Sequence, residues 1–552
     1  MAKLFVIAIG GTGMRCLESF VHLCAIGMFD NHEVDILTLD TDQSNGNKGR
    51  VEELIDIYNK VKSNDEANPD GGTINRDTFF SAKLNLYKFY TSYGDRDRKS
   101  FKVLSHTGNN ETKGENMDLS DLFYIKTTVQ EFELDHGYRA QTHLGSMLMY
   151  HGIIEAARNV KEKGDDAEVQ DRNLKKFIEK LLEAQGDARV FVFGSVFGGT
   201  GASSIPVIPV ALRDAAEILS DGKTLDLKNV KFGATLLTNY FSFNSPTAQF
   251  KKQEKIVADS DNFALNCQAA MQFYQGDPTV LSTYKRFYHI GWSLPKLDVS
   301  SKGDPITGGQ EQKNDCHVIE LMCACAAYDF FTADDAELNR KEAAYFYRSV
   351  GEENGVLNFH GNDFLSNGVL FENKLGAFFT FAHMVLSQGE AAWSDDAIPT
   401  IGTHGFIAKF ATQNIHDYDG ISLNQCKEIN NYLRLFGYKF DKEDNMVKGW
   451  IYQIYNSVKP GRFLFSETAF KELRQEMKSI SCGQLFIDPN HNWSKMAGLF
   501  NPKDNSVDEL IKTLTDDKSK PRVADQLVNT TKEKFLAHIY NGITINQKFE
   551  LK

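Results

Sequence analysis

The sequence has no CxxC pair. Its eight cysteines are scattered, and the closest two, Cys323 and Cys325, sit in an apolar run. Zinc ligands typically come in pairs ~2–4 residues apart, with a second pair to follow, so buried reduced thiols are expected instead. His317 and Glu320 share a helix face at i and i+3 without a third ligand candidate, so no protein-held metal site is expected. Proline is scarce, at 12 in 552 residues, which excludes a long Pro-rich linker. No segment reaches the ~18 consecutive apolar residues that span a bilayer. The first ten residues carry one cation and a short apolar run that ends in glycines. They read as a buried strand, not a signal peptide, and a cytoplasmic protein is expected. Positive charge is also in deficit: 61 Lys+Arg face 74 Asp+Glu, a net charge of −13. Neutralising a phosphate backbone needs clustered cations, so no nucleic-acid partner is expected.

What is present is an α/β pattern. Leu4–Ile9 is a continuous apolar run that ends in Gly10-Gly11-Thr12-Gly13. Met14, Leu17, Phe20, Val21 and Cys24 then recur at helical spacing, and Val34–Leu39 reads as a second strand closing at Asp40-Thr41-Asp42. Strand, turn, helix, strand implies a parallel sheet with right-handed crossovers. Residues 43–135 are polar and weakly periodic, and read as a long insertion with short helices and exposed loops. Helices are expected near 144–161, 174–183, 205–219 and 253–274, and strands at 190–193, 230–237 and 286–292. A long apolar helix spans His317–Phe331, the chain reads as helical to about 390, and strands at 403–410 and 462–465 suggest a second α/β or α+β domain.

Two glycine-rich strand-to-helix turns lie about 185 residues apart, at 10–13 and 198–201. Glycine lets backbone approach a ligand closely, and the helix that follows offers free N–H groups to a phosphate. No lysine follows either turn, so neither is a Walker P-loop. Gly11-Thr-Gly13-Met-Arg-Cys16 half-matches the dinucleotide fingerprint, with Cys16 at the third glycine and Asp40 at the ribose-binding position. Thr12, Thr200 and Ser203 are equally suited to capping their helices.

Phe197-Gly-Gly-Thr-Gly-Ala-Ser203 resembles the GGGTG[ST]G signature of the tubulin/FtsZ superfamily, with Gly198, Gly199, Thr200 and Gly201 intact. Other stretches fall in the family's order. Gly10, Gly11, Thr12, Gly13, Met14 and Arg15 match its first phosphate loop, and Asp40 and Asp42 its ribose or metal loop. Ser260–Leu265 is similar to the tubulin stretch whose Asn contacts guanine or ribose, which implies a base contact for Asn262. Asn314 opens the long apolar helix, where the family places a second guanine-reading Asn, and Arg139 lies where its γ-phosphate loop falls. The family's catalytic loop carries an Asn with acids two and five positions on. Asn358 and Asp363 fit, with His360 at the first acid, and Asp334, Asp335 and Glu337 compete for the role.

The resemblance implies a parallel-sheet GTP-binding domain over 1–312, a central helix at 313–332, a second domain at 333–505 and a tail at 506–552. It implies GTP or GDP with Mg²⁺ as ligands and a head-to-tail homopolymer that hydrolyses GTP between subunits. Membrane or accessory partners stay open. A nucleotide-binding structural protein without hydrolysis, motivated by His360, is the alternative. A dinucleotide-dependent oxidoreductase accounts for the first 42 residues alone.

Overall fold

The computed structural model describes residues 2–63, 69–91, 122, 124–125, 138, 140–220, 222–254, 258–292, 296–299, 306, 308–340, 342–349, 352–353, 356–357, 359–386, 423–443, 445–459, 461, 463–464 and 527–547. Arg139 and Asn358 lie outside them, as do the stretches expected as an exposed loop at 106–117 and a strand at 403–410.

The main strands are β1 (Lys3–Ile9), β2 (Glu33–Asp40), β3 (Lys83–Tyr90), β4 (Ala188–Phe193), β5 (Lys231–Leu237), β6 (Tyr284–Ile290) and β7 (Ala344–Arg348). They form one parallel seven-stranded sheet in the order β3-β2-β1-β4-β5-β6-β7. Strand order reverses between β1 and β4, so a crevice opens beyond their carboxyl ends. β1 and β4 are buried on both faces, apart from the exposed Lys3, which is why they read as unbroken apolar runs.

Helices α1 (Gly10–Ala25), α2 (Gly46–Lys62) and α8 (Val318–Thr332) cover one face. The other carries α3 (Thr142–Lys163), α4 (Val169–Ala184), the short α5 (Gly199–Ser204), α6 (Ile208–Leu219) and α7 (Phe263–Gly276). Phe5 meets Phe177 of α4 at 5.6 Å between ring centres, while Phe191 and Phe193, on the opposite face, meet Phe330 of α8 and Phe20 of α1. A further layer, α9 (Gly368–Leu386), α10 (Leu423–Phe436), α11 (Trp450–Ser457) and α12 (Thr531–Gln547), packs over α1, α2 and α8. Trp450 is fully buried and donates to Ser19 Oγ of α1 at 3.0 Å, which ties α11 to the sheet layer. Sandwiched in this way, α8 is apolar almost all round, as a helix buried on every side must be.

Three expectations need correction. The stretch read as an insertion supplies α2, a 17-residue helix, and the edge strand β3. Residues 332–390 are not all helix: Tyr345, Phe346 and Tyr347 lie in β7, and its two tyrosines are exposed. The helix expected from Gln253 begins in earnest at Phe263, after a short 3₁₀ turn at Ser260–Asn262. β3 escaped notice because Lys83, Asn85 and Lys88 break its apolar pattern, and β7 because its short Tyr345-Phe346-Tyr347 run fits a helix as well as a strand. The six described cysteines are buried and form no disulfide, and no described helix is long and apolar enough to cross a membrane.

Candidate functional site

A cleft of about 290 Å³ lies at the point of strand reversal. Gly10, Gly11 and Thr12 at the start of α1, and Gly198, Gly199, Thr200 and Gly201 at the start of α5, all line it. The two turns touch: Gly10 has a φ of +65°, and a Cβ on it would stand 3.2 Å from Thr200 Cβ. A Cβ on Gly199 would meet the Ala140 backbone nitrogen at 2.7 Å, so that glycine is needed for close packing. Gly198 is different, since a Cβ there would find only Ser195 Oγ, at 3.4 Å.

Neither helix start is capped by a side chain. The hydroxyl of Ser203 instead donates to Thr200 O at 3.0 Å. Backbone N–H groups of the first turn of each helix are therefore left facing the cleft, where the helix dipole favours an anion.

Asp40 and Asp42, at the end of β2, line the same cleft. Asp40 is 2% exposed, and its Oδ1 accepts the Thr41 N–H at 2.8 Å. Its Oδ2 is buried without a partner among the described residues. Burial, and secondly the charge of Asp42, push the Asp40 carboxyl up to about 7. Asp42 Oδ2 accepts the N–H of Gly309 at 2.6 Å, which anchors a strap, residues 308–317, across the rim. Asn314 lies on that strap and lines the cleft, as do Gln312 and the exposed Lys313. Phe197, Phe241, Phe243 and Phe263 supply an aromatic wall.

Other expected residues stand elsewhere. Met14 is wholly buried, and a Cβ on Gly13 would lie 2.6 Å from Phe193 O, so both serve packing of α1 on the sheet. Arg15 points inward. Its guanidinium donates to Glu320, on α8, and to Tyr240, all three buried. Burial opposes its charge, but Glu320 and Tyr240 more than offset that and hold the guanidinium above its ordinary value. Asn262 is exposed and does not line the cleft; it is Asn266, one turn on, whose Nδ2 reaches Phe197 O at 3.3 Å.

Asp363 also stands outside the cleft, where its carboxylate accepts the His360 N–H at 2.7 Å and caps a short helix. Asp335 pairs with Arg189 at 2.8 Å and Glu337 with Arg286. Asp334 is exposed and has no side-chain partner among the described residues. These three acids follow α8, whose 15 residues span about 22 Å from its start beside the cleft to the far end of the sheet.

Sequence reasoning passed over Asn45, Asn47 and Gln312. Asn45 caps α2, accepting from the backbone of Asn47 and Lys48. Its Asn-x-x-Lys setting carries no spacing signal, although Asn before a helix is a common cap. No protein-family model matches the chain, and no curated protein matches it.

Proposed function

We propose that this protein is a nucleotide-binding protein of tubulin/FtsZ type, which binds GTP or GDP in this cleft and assembles head to tail. One observation carries the reading: two uncapped glycine turns, on adjacent strands at the reversal of strand order, open into one cleft. Such a cleft suits a chain of phosphates held by backbone N–H groups. It also accords with a net charge of −13, because the anion needs no field of lysines. The partnerless Asp40 Oδ2 fits a ribose hydroxyl or a Mg²⁺ shell, with Asp42 beside it. Mg²⁺ would offset the charge of the β- and γ-phosphates.

The far end of α8 supports assembly. Asp334 lies about 22 Å along that helix from its own cleft, so it reaches a γ-phosphate only in a neighbouring copy. There an acid would orient and deprotonate the attacking water.

Titration of the purified chain with GTP, GDP, ATP and NADH tests the binding reading. Gly198→Val adds bulk to the cleft where no described atom is closer than 3.4 Å. Guanine-nucleotide binding by the parent and its loss in the variant are expected; equal binding by both, or none by either, overturns the reading. Negative-stain microscopy with GTP, GDP and no nucleotide tests assembly, and filaments with GTP are expected.

A second reading, binding without hydrolysis, is favoured by the engagement of Asp363, Asp335 and Glu337 in caps and ion pairs. GTP turnover that rises with protein concentration and vanishes in Asp334→Ala would reject it.

A further inference from the structure

A second pocket, of about 320 Å³, lies between α7 and the sheet, on the face away from α8. Its floor is built from the pleat. Alternate residues of a strand share a face, so Phe287 and His289 of β6 turn away from α8, which Tyr288 meets through Asp329. Register then sets Tyr345 beside Phe287 and Tyr347 beside His289, with Leu236 of β5 on the other side of His289. The Tyr345 ring lies within 24° of the Phe287 plane at 5.5 Å between centres, and Tyr347 meets the His289 ring edge-on at 5.5 Å. Met271, Tyr274 and Gln275 of α7 form the wall. Tyr274 is fixed there by its hydroxyl, which donates to Ala202 O. β7 is the sheet edge, and its two tyrosines stay 47% and 71% exposed. The result is a slot whose aromatic floor runs out to solvent.

The polar groups in this slot are neutral and unengaged. The His289 ring and the Gln275 amide have no hydrogen-bond partner among the described residues. Burial alone lowers His289 below its ordinary value, so at neutral pH its imidazole is uncharged, with one nitrogen to donate and one to accept. Burial above all raises the hydroxyls of Tyr274 and Tyr345, which stay protonated. No charged side chain lines the slot among the described residues, and α7 carries none along its length, in a chain of which 24% is charged. An anion placed there would lose its water and meet no cation, which excludes a phosphate ligand. A cation would meet no carboxylate.

We propose that this slot binds an uncharged planar aromatic compound whose hydrogen-bonding edge, a carbonyl beside an N–H, enters towards His289 and Gln275. The ring of the compound lies on the floor made by Tyr345 and Tyr347, where offset stacking adds to the area buried. His289 donates or accepts as its tautomer requires, and Gln275 supplies the complementary group. Concave, mainly apolar pockets with a few convergent polar groups are the usual form of small-molecule sites, and ~300 Å³ is the lower end of their size. That volume suits a ligand of about one or two rings. The site is separate from the cleft and independent of the nucleotide reading: no residue lines both, although Phe263 at the start of α7 lines the cleft and Met271 further along it lines the slot.

Three size-matched probes test this on the full chain at about pH 8, with binding read from the fluorine NMR line width. They are 4-fluorobenzamide, which is neutral, 4-fluorobenzoate, an anion, and 4-fluorobenzamidine, a cation. The amide is expected to bind with a Kd on the order of 1 mM, as about ten non-hydrogen atoms allow, and each charged probe at least roughly tenfold more weakly. Tyr345→Ala, a change on an exposed edge strand, should weaken the amide about fivefold with little change in thermal midpoint. His289→Phe keeps a ring and removes the hydrogen bond, so the amide should fall to about the affinity of fluorobenzene. A charged probe that binds as tightly as the amide overturns the proposal, as does amide binding that Tyr345→Ala leaves unchanged, or no amide binding at about 10 mM. Sedimentation covers the competing occupant: a parent chain that associates while Tyr345→Ala stays monomeric, with no amide bound, assigns the slot to a second copy and overturns the small-molecule reading. The ranking of the three probes on the parent chain decides even where a variant fails to fold.

Discussion

The two ends of the sheet treat their polar groups in opposite ways. At the amino ends of the strands, Arg189 donates to Phe331 O at 2.6 Å, Ala333 O at 2.7 Å and Asp335 at 2.8 Å. Arg286 pairs with Asp329 and Glu337 and lies over the Phe346 ring at 4.8 Å, while Tyr288 donates to Asp329 at 2.6 Å. Both arginines there are met within the chain, and among the acids beside them Asp334 alone stands exposed without a side-chain partner among the described residues. At the carboxyl ends, two helix starts lack side-chain caps, and Asp40 Oδ2 lacks a partner among the described residues. The contrast separates groups that hold the fold from groups left for something else. Buried polar groups are almost always paired; Asp40 Oδ2 is one of several exceptions among the described residues and the one that lines the cleft.

The largest expected effect comes from the buried pair that joins α1 to α8. Arg15→Ala strands Glu320 as an uncompensated buried charge and should cost about 3–5 kcal/mol in urea unfolding. A loss under ~1 kcal/mol would mean that water already reaches Glu320. Next is the pH response of Asp40. Its carboxyl is raised from 3.8 to about 7, so the folded state holds that proton more tightly than the unfolded chain. The resulting stability is fully present below pH ~4 and lost as pH rises through about 7. Between pH 4 and 8 the ligand-free protein should lose on the order of 3 kcal/mol more than Asp40→Asn. His22, pushed by burial down to about 3, titrates alike in both proteins and cancels in the comparison. Parallel pH profiles would show that Asp40 is solvated.

Gly198→Val should weaken nucleotide binding by roughly 100-fold with an unchanged thermal midpoint, since a wall placed in the cleft touches little else. The opposite dissociation is expected at the far end. Arg286→Met should lower unfolding free energy by roughly 2 kcal/mol and leave monomer nucleotide affinity unaltered. If it changed affinity, the two ends would not be separable in the way their hydrogen bonding suggests.

The same contrast explains what could be read from sequence. β1, β4 and β5 were legible because strands buried on both faces leave apolar runs, and β2 and β6 were legible although Asp35, Lys285 and Arg286 interrupt theirs. β3 and β7 were not: polar residues break the pattern of β3, and the short aromatic run of β7 fits helix or strand alike. The glycine turns were legible because close approach admits no side chain at Gly13 or Gly199. Arg15 misled because cation and glycine adjoin in sequence, whereas a helix sends successive side chains in different directions and buries this one against Glu320. Asn45 and Gln312 meet across 267 positions, a distance no local pattern can signal.

The bare starts of α1 and α5 bear on how long this end of the molecule stays folded. A ligand that binds the native state and not the unfolded chain adds RT ln(1 + [L]/Kd), about 2.7 kcal/mol at a hundredfold excess over Kd. By mass action, then, the cleft end would draw part of its persistence from the surrounding concentration of its ligand. Local openings confined to the far end, which leave the cleft intact, would not respond to that supply.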